Sequence, residues 1–181
     1  MSHRILIFGS PGSGKSTLAR TLGTLLQIEP IHIDDVFWLP GWVEMDKQQL
    51  VTEVLSLVEG KDSWIVDGNY SSVRPHLLEK ATHAIVLRVP LLKNLWRVFW
   101  RTTIQETRIR PFRVSRQPLR VKDDPNPNPL WKVHWLFFKH IFMHYRWKTR
   151  QIYLEAKARG VPVLVTDGMG NDVKDFLGIK S

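Results

Sequence analysis

The stretch Gly9-Ser-Pro-Gly-Ser-Gly14-Lys15-Ser16 leaves the chain few architectures. It fits the pattern G-x-x-x-x-G-K-[ST], and its flanks fit too. Arg4 to Phe8 is a short apolar run, and from Ser16 to Gln27 the residues Leu18, Leu22, Leu25 and Leu26 recur at helical spacing. A strand, a glycine-rich loop and a helix in that order let backbone N–H groups curl inward around phosphate oxygens, while the helix adds the positive end of its dipole. Lys15 then reaches the β- and γ-phosphates, and Ser16 offers its hydroxyl to Mg²⁺. The expected ligand of Gly9, Ser10, Pro11, Gly12, Ser13, Gly14, Lys15, Ser16 and Thr17 is a nucleoside triphosphate, ATP, with Mg²⁺ as the metal.

The rest of the chain reads as a sheet built around that unit. Pro30 to Ile33 is a second strand, followed by Asp34-Asp35 and a turn at Pro40-Gly41. Asp46 caps a helix running to Glu59, with Leu50, Val54, Leu57 and Val58 on one face. Trp64 to Val66, His83 to Val89 and Gly160 to Thr166 are the third, fourth and fifth strands, and a short helix near Asp172 to Leu177 closes the chain. Strands separated by helices require crossover connections, hence a parallel sheet covered on both faces. The expected class is α/β, with the P-loop NTPase fold and a five-stranded parallel sheet. Two longer helical candidates, Leu91 to about Arg110 and Leu130 to about Arg159, are joined by the Pro- and Arg-rich stretch Pro111 to Pro129. A lid-like, basic helical insertion is therefore placed at about 102–129, within a single domain spanning 1–181.

In an open α/β sheet the ligand crevice lies beyond the carboxyl ends of the strands. Asp67 ends Trp64-Ile-Val-Asp67, where an acid can hold Mg²⁺ through its waters; Asp67-Gly68 is also a common turn dipeptide. Asp34 and Asp35 follow the second strand, where a carboxylate orients or deprotonates an attacking hydroxyl; Asp35 also suits the N-cap of a short helix. Trp38 and Trp42 flank the Pro-Gly turn beside them, placed to stack on a base or sugar or simply to pack. Asn69 and Arg74, just beyond the third strand, complete the candidate acceptor-binding set.

Charge is unevenly spread. The net charge is +9, yet residues 88–159 hold 17 lysines and arginines against 4 acids, and the remainder holds 9 against 13. Such a region attracts nucleic acid, an anionic membrane or a phosphorylated substrate, or is a solvated face. Within it Trp131, Trp135, Phe138, Phe142 and Tyr145 share helical spacing with basic residues, a face suited to burial, to a dimer or to a membrane surface. No apolar run is long enough to span a bilayer. The absence of cysteine and of an export-like start leads us to expect a cytoplasmic protein.

An Asn-Lys-x-Asp element, expected of a guanine-selective GTPase, does not occur. The chain resembles the adenylate-kinase-like group of small P-loop kinases, and within it the bacterial DNA topology modulation proteins. The resemblance is carried by the phosphate loop, His32-Ile-Asp34, Trp38-Leu-Pro-Gly-Trp42, Trp64-Ile-Val-Asp-Gly-Asn-Tyr70, and Leu95-Trp-Arg97 with Arg101. It covers nearly the first 105 residues. It implies that Gly9 to Ser16 binds ATP, that Asp67 serves the metal, and that Arg97 and Arg101 approach phosphates from a lid. It favours Asp34 over Asp35 as the strand-end acid. The stretch Arg108 to Asp124 departs from the family pattern, and no Thr-Gly-Asp follows the second strand, so adenylate kinase itself is not indicated. Arginines four apart project from one helix face and jointly neutralise phosphoryl charge. The reaction expected is Mg-dependent phosphoryl transfer from ATP to a small hydroxyl- or phosphate-bearing acceptor, with Lys15, Asp34, Arg97 and Arg101 as catalytic residues. The alternative is a nucleotide-gated nucleic-acid-binding protein using region 88–159.

Overall fold

The computed structural model describes residues 2–39, 43–106 and 148–179, with the backbone alone for 98–99 and 101–106. Seven strands and seven helices occur among them. β1 (Arg4–Gly9) leads through the glycine loop into α1 (Lys15–Leu26), which Gly14 starts from a left-handed conformation. β2 (Ile31–His32) runs directly into α2 (Ile33–Phe37). β3 (Trp38–Leu39) and β4 (Val43–Glu44) form a small antiparallel pair. Then follow α3 (Lys47–Val58), β5 (Trp64–Asp67), α4 (Arg74–Leu78), β6 (His83–Leu87) and α5 (Leu91–Glu106). The last described elements are α6 (Thr149–Ala158), β7 (Val163–Thr166) and α7 (Asn171–Phe176).

The main sheet has five strands in the order β2-β5-β1-β6-β7, all parallel. The fold is therefore α/β, as the alternation of strands and helices requires. Successive side chains of a strand point to opposite faces, and here both faces are buried. Leu6, Phe8, Trp64, Val66, Ala84 and Val86 pack on one side against Leu50, Val54, Leu77 and Ile152 of the covering helices. Ile5, Ile7, Ile65, Ile85 and Leu87 pack on the other against Leu18, Leu22 and Val173. Continuous apolar runs such as Ile5-Leu-Ile-Phe8 are what a doubly covered strand demands.

Several details depart from expectation: the β3–β4 pair was not foreseen, the fourth main-sheet strand ends at Leu87 and the fifth begins at Val163. The second strand ends one residue early, because Ile33 turns into α2 and buries its side chain against Gly68, where a Cβ would lie 2.8 Å from that of Ile33. Asp34 and Asp35 consequently occupy the first turn of α2, where carboxylates favour the positive helix end. The five-residue α4, too short to show a helical period, was not foreseen; Pro75 in its first turn and buried Leu77 and Leu78 define it. The cap on α3 is as expected, the Asp46 carboxylate accepting from the N–H groups of Gln48 (2.8 Å) and Gln49 (3.3 Å). Among the described residues no helix is long and apolar enough to cross a membrane.

Candidate functional site

The sheet order places the end of β1 between the ends of β5 and β6, with Ile7 level with Asp67 and Gly9 level with Leu87. Chain segments leave this edge in both directions, which opens the crevice that α/β sheets use for ligands. Among the described residues four polar side chains are buried, and all four gather here: Ser10, Ser13, Asp67 and Asn94.

The loop itself is held open by backbone conformation. Gly9, Gly12 and Gly14 have φ of 157°, 78° and 96°, values that a side chain strains. At Gly9 a Cβ would also sit 2.6 Å from the Ser13 hydroxyl and 3.0 Å from the Leu87 carbonyl, so the loop packs against β6 only as glycine. Ser13 N–H donates to the Ser10 carbonyl at 3.1 Å, and the same carbonyl accepts from the Lys15 ammonium at 3.2 Å. No side chain caps α1. A helix has no internal acceptors for its first-turn N–H groups, so this end offers donors that an anion can meet. Ser13 Oγ, 2% exposed, has no hydrogen-bonding partner among the described residues. Triphosphate oxygens fit a cradle of this kind.

Beside the loop, Ser16 Oγ donates to Asp67 Oδ2 at 2.8 Å, joining residues 51 apart in sequence. The other oxygen, Asp67 Oδ1, contacts His32 Nδ1 at the end of β2. That hydrogen bond holds the His32 pKa above its ordinary value, outweighing burial, which acts in the opposite direction. A hydroxyl and a buried carboxylate in contact are the oxygen donors that a hard cation with retained waters selects, so these two residues fit Mg²⁺. An arginine from α5 reaches the same place: Arg97 Nη1 lies 3.9 Å from the position a Cβ would take at Gly14.

Across from the loop, Asp34 is exposed and its Oδ1 accepts from the Tyr70 hydroxyl at 2.7 Å. Burial and then the Asp34 charge push the Tyr70 pKa upward, which keeps it a donor. The Phe37 ring lies 4.8 Å from that of Tyr70 and meets Trp38 edge-on at 4.9 Å. Trp38 is half-buried in this cluster. Asn69 and Arg74 are brought together, the guanidinium donating to Asn69 Oδ1 at 3.4 Å, but Arg74 also donates to Glu155 Oε2 of α6 at 2.8 Å. Glu155 is shared with Arg159 at 3.2 Å. Thr17 is exposed on the first turn of α1. Trp42, the Arg101 side chain, most of the insertion at 102–129 and the aromatic run from Trp131 to Tyr145 lie outside what the structure describes.

Four contributors were missed as site residues in the sequence: His32, Tyr70, Asn94 and Glu155. His32 carried a signal, a polar residue directly before the acid pair at a strand end. Asn94 carried another, an amide among Leu91, Leu95 and Val98 on a helical face. Glu155, more than 80 positions from its partner Arg74, gave none.

No family model matches the chain, and no curated protein matches it. Among solved structures it is similar to a gluconokinase from Sinorhizobium meliloti 1021, with a TM-score of 0.45 and 15% identity, over 85% of this chain and 97% of that one.

Proposed function

We propose that the chain is an ATP-binding, Mg-dependent phosphotransferase acting on a small acceptor that bears a hydroxyl or phosphate. The observation that carries this reading is the 2.8 Å contact of Ser16 with buried Asp67 at the mouth of the glycine loop. It supports the reading because it sets side by side the hydroxyl and the acid to which the proposal gives the metal.

Lys15 would leave the Ser10 carbonyl to meet phosphate oxygens, since a charged partner offers it a stronger bond. Ser16 and Asp67 would hold Mg²⁺, Asp67 through water. When bound, the ion would supply positive charge that offsets the charge of the nucleotide phosphates. Arg97, together with Arg101 one turn on, would neutralise charge that spreads over the phosphoryl group. Asp34, oriented by the Tyr70 hydroxyl, would accept a hydrogen bond from the acceptor and fix its approach. Trp38, Trp42, Asn69 and Arg74 would line the acceptor side.

The test is transfer of label from γ-labelled ATP, with Mg²⁺, to a panel of nucleosides, nucleotides, sugars and small polyols. A labelled acceptor, lost in the Lys15→Ala and Asp67→Asn proteins, is the expected result. ATP hydrolysis with no labelled acceptor across the panel would remove the transferase reading, and no ATP binding by calorimetry would remove the whole of it.

A further inference from the structure

Asn94 is the most deeply buried polar side chain described, at 0% exposure, and it lies in the first turn of α5 rather than in the loop. Its Nδ2 donates to Ser10 Oγ at 2.6 Å, bridging 84 positions of sequence. Its Oδ1 has no partner among the described residues. A buried acceptor left unpaired is costly, and a leucine, which has the same branching, would avoid that cost. Packing alone therefore does not account for an amide at this position.

What the amide touches does account for it. Ser10 is the node of the loop: its carbonyl receives both Ser13 N–H and the Lys15 ammonium. Asn94 grips the hydroxyl of that same residue. Three positions further along α5, on the same face, Arg97 brings its guanidinium to the Gly14 end of the loop. The helix thus meets the loop at two points, Ser10 and Gly14, and the Asn94 bond fixes both the rotation and the advance of α5 along it.

From this geometry we infer that Asn94 is a positioning residue that locks helix α5 to the phosphate loop through Ser10, and so sets where Arg97 stands over a bound anion. It touches no substrate itself. Loop and helix are then joined as one unit, and a ligand that draws Lys15 off the Ser10 carbonyl is felt in α5. The nucleotide part of this inference rests on the function proposed above; the mechanical coupling does not.

The experiment is a double-mutant cycle of Asn94→Leu and Ser10→Ala, which break one bond from its two sides, so that a folding failure in either variant leaves the other. Amide hydrogen exchange on the nucleotide-free protein is the first readout. The lock predicts faster exchange in both 9–16 and 91–97 in each single variant, with no further gain in the double. ATP affinity per folded molecule is the second, expected to fall about tenfold in each single variant, the change that loss of one good hydrogen bond produces, and to fall no further in the double. Exchange confined to one segment, or losses that add in the double variant, would overturn the lock. So would lower thermal stability with affinity unchanged, the mark of a packing role only. If the unsubstituted protein binds no ATP, the proposed function fails, while the exchange cycle still decides the coupling.

Discussion

The two ends of the central sheet are built from the same strands and obey different rules. At the amino end backbone groups pair across adjoining chain segments, Trp64 N–H donating to the His3 carbonyl at 2.8 Å, Thr82 N–H to the Arg4 carbonyl at 2.9 Å, and Ala84 N–H to the Pro162 carbonyl at 2.9 Å, and among the described residues one buried side-chain atom there, His3 Nδ1, is unpaired. Two glycines at this end have room: at Gly60 and at Gly160, which ends α6, a Cβ would meet nothing within 4 Å, whereas at Gly23 it would lie 2.6 Å from the Ile28 carbonyl oxygen. At the carboxyl end Gly9 admits no Cβ, Ser13 and Asn94 carry buried unpaired atoms, and an acid is gripped from two sides. The amino end spends its interactions on stability. The carboxyl end holds polar groups buried and partly unpaired, in positions that cost stability.

Substitutions at the two ends should therefore separate stability from binding. Trp64→Ala, at the amino end and 2% exposed, should lower unfolding free energy by about 3–5 kcal/mol in a denaturant titration and leave ATP affinity of the folded fraction unchanged. Loss of affinity without loss of stability would break the division. Lys15→Ala, at the carboxyl end, should lower phosphoryl transfer about 10²–10³-fold, the effect of removing one charge-stabilising donor, with little change in melting temperature. A paired glycine test is sharper though smaller. Gly9→Ala should abolish detectable nucleotide binding and cost about 1–3 kcal/mol through strain and the clash with Leu87. Gly160→Ala, with φ of 71° but open space, should cost about 1–2 kcal/mol and leave binding intact.

The smallest effect is in proton affinity. His32, at the carboxyl end, is raised by its bond to Asp67, and His83, at the start of β6, is lowered by burial and then by His3. The His32 contribution to stability is complete below the free-imidazole value of about 6.5 and fades as pH rises through the elevated value. That of His83 is complete above about 6.5 and fades as pH falls through the depressed value. Proton NMR titration of the nucleotide-free protein should find the two on opposite sides of the free value, and finding both on one side would dissolve this part of the contrast.

The loop was legible because its chemistry is local: eight consecutive residues, a strand before and a helix after. The place of Asp67 was legible because a buried strand ending in an acid is a short-range pattern. The sheet could be inferred because parallel strands covered on both faces must be apolar throughout. What escaped is set by long-range pairing. Neither the bond of Asn94 to Ser10 nor that of Arg74 to Glu155 leaves a trace in spacing, because sheet order rather than sequence brings those partners together. Tyr70 was read as part of a motif, and its hold on Asp34 emerged only once α2 placed that carboxylate opposite it.

The strand order also governs how the chain acquires its structure. β1 precedes the other strands of its sheet in the chain and lies at the middle of that sheet, yet its neighbours β5 and β6 begin at Trp64 and His83. During synthesis Ile5-Leu-Ile-Phe8, the most apolar stretch near the amino terminus, has no lateral partner until dozens of further residues emerge. Such delayed non-local pairing slows folding and leaves a sticky edge exposed to other chains. The nascent protein therefore passes its most aggregation-prone interval before Asp67 can meet Ser16, and conditions that slow elongation between Leu26 and Leu87 should lower its soluble yield more than slowing elsewhere.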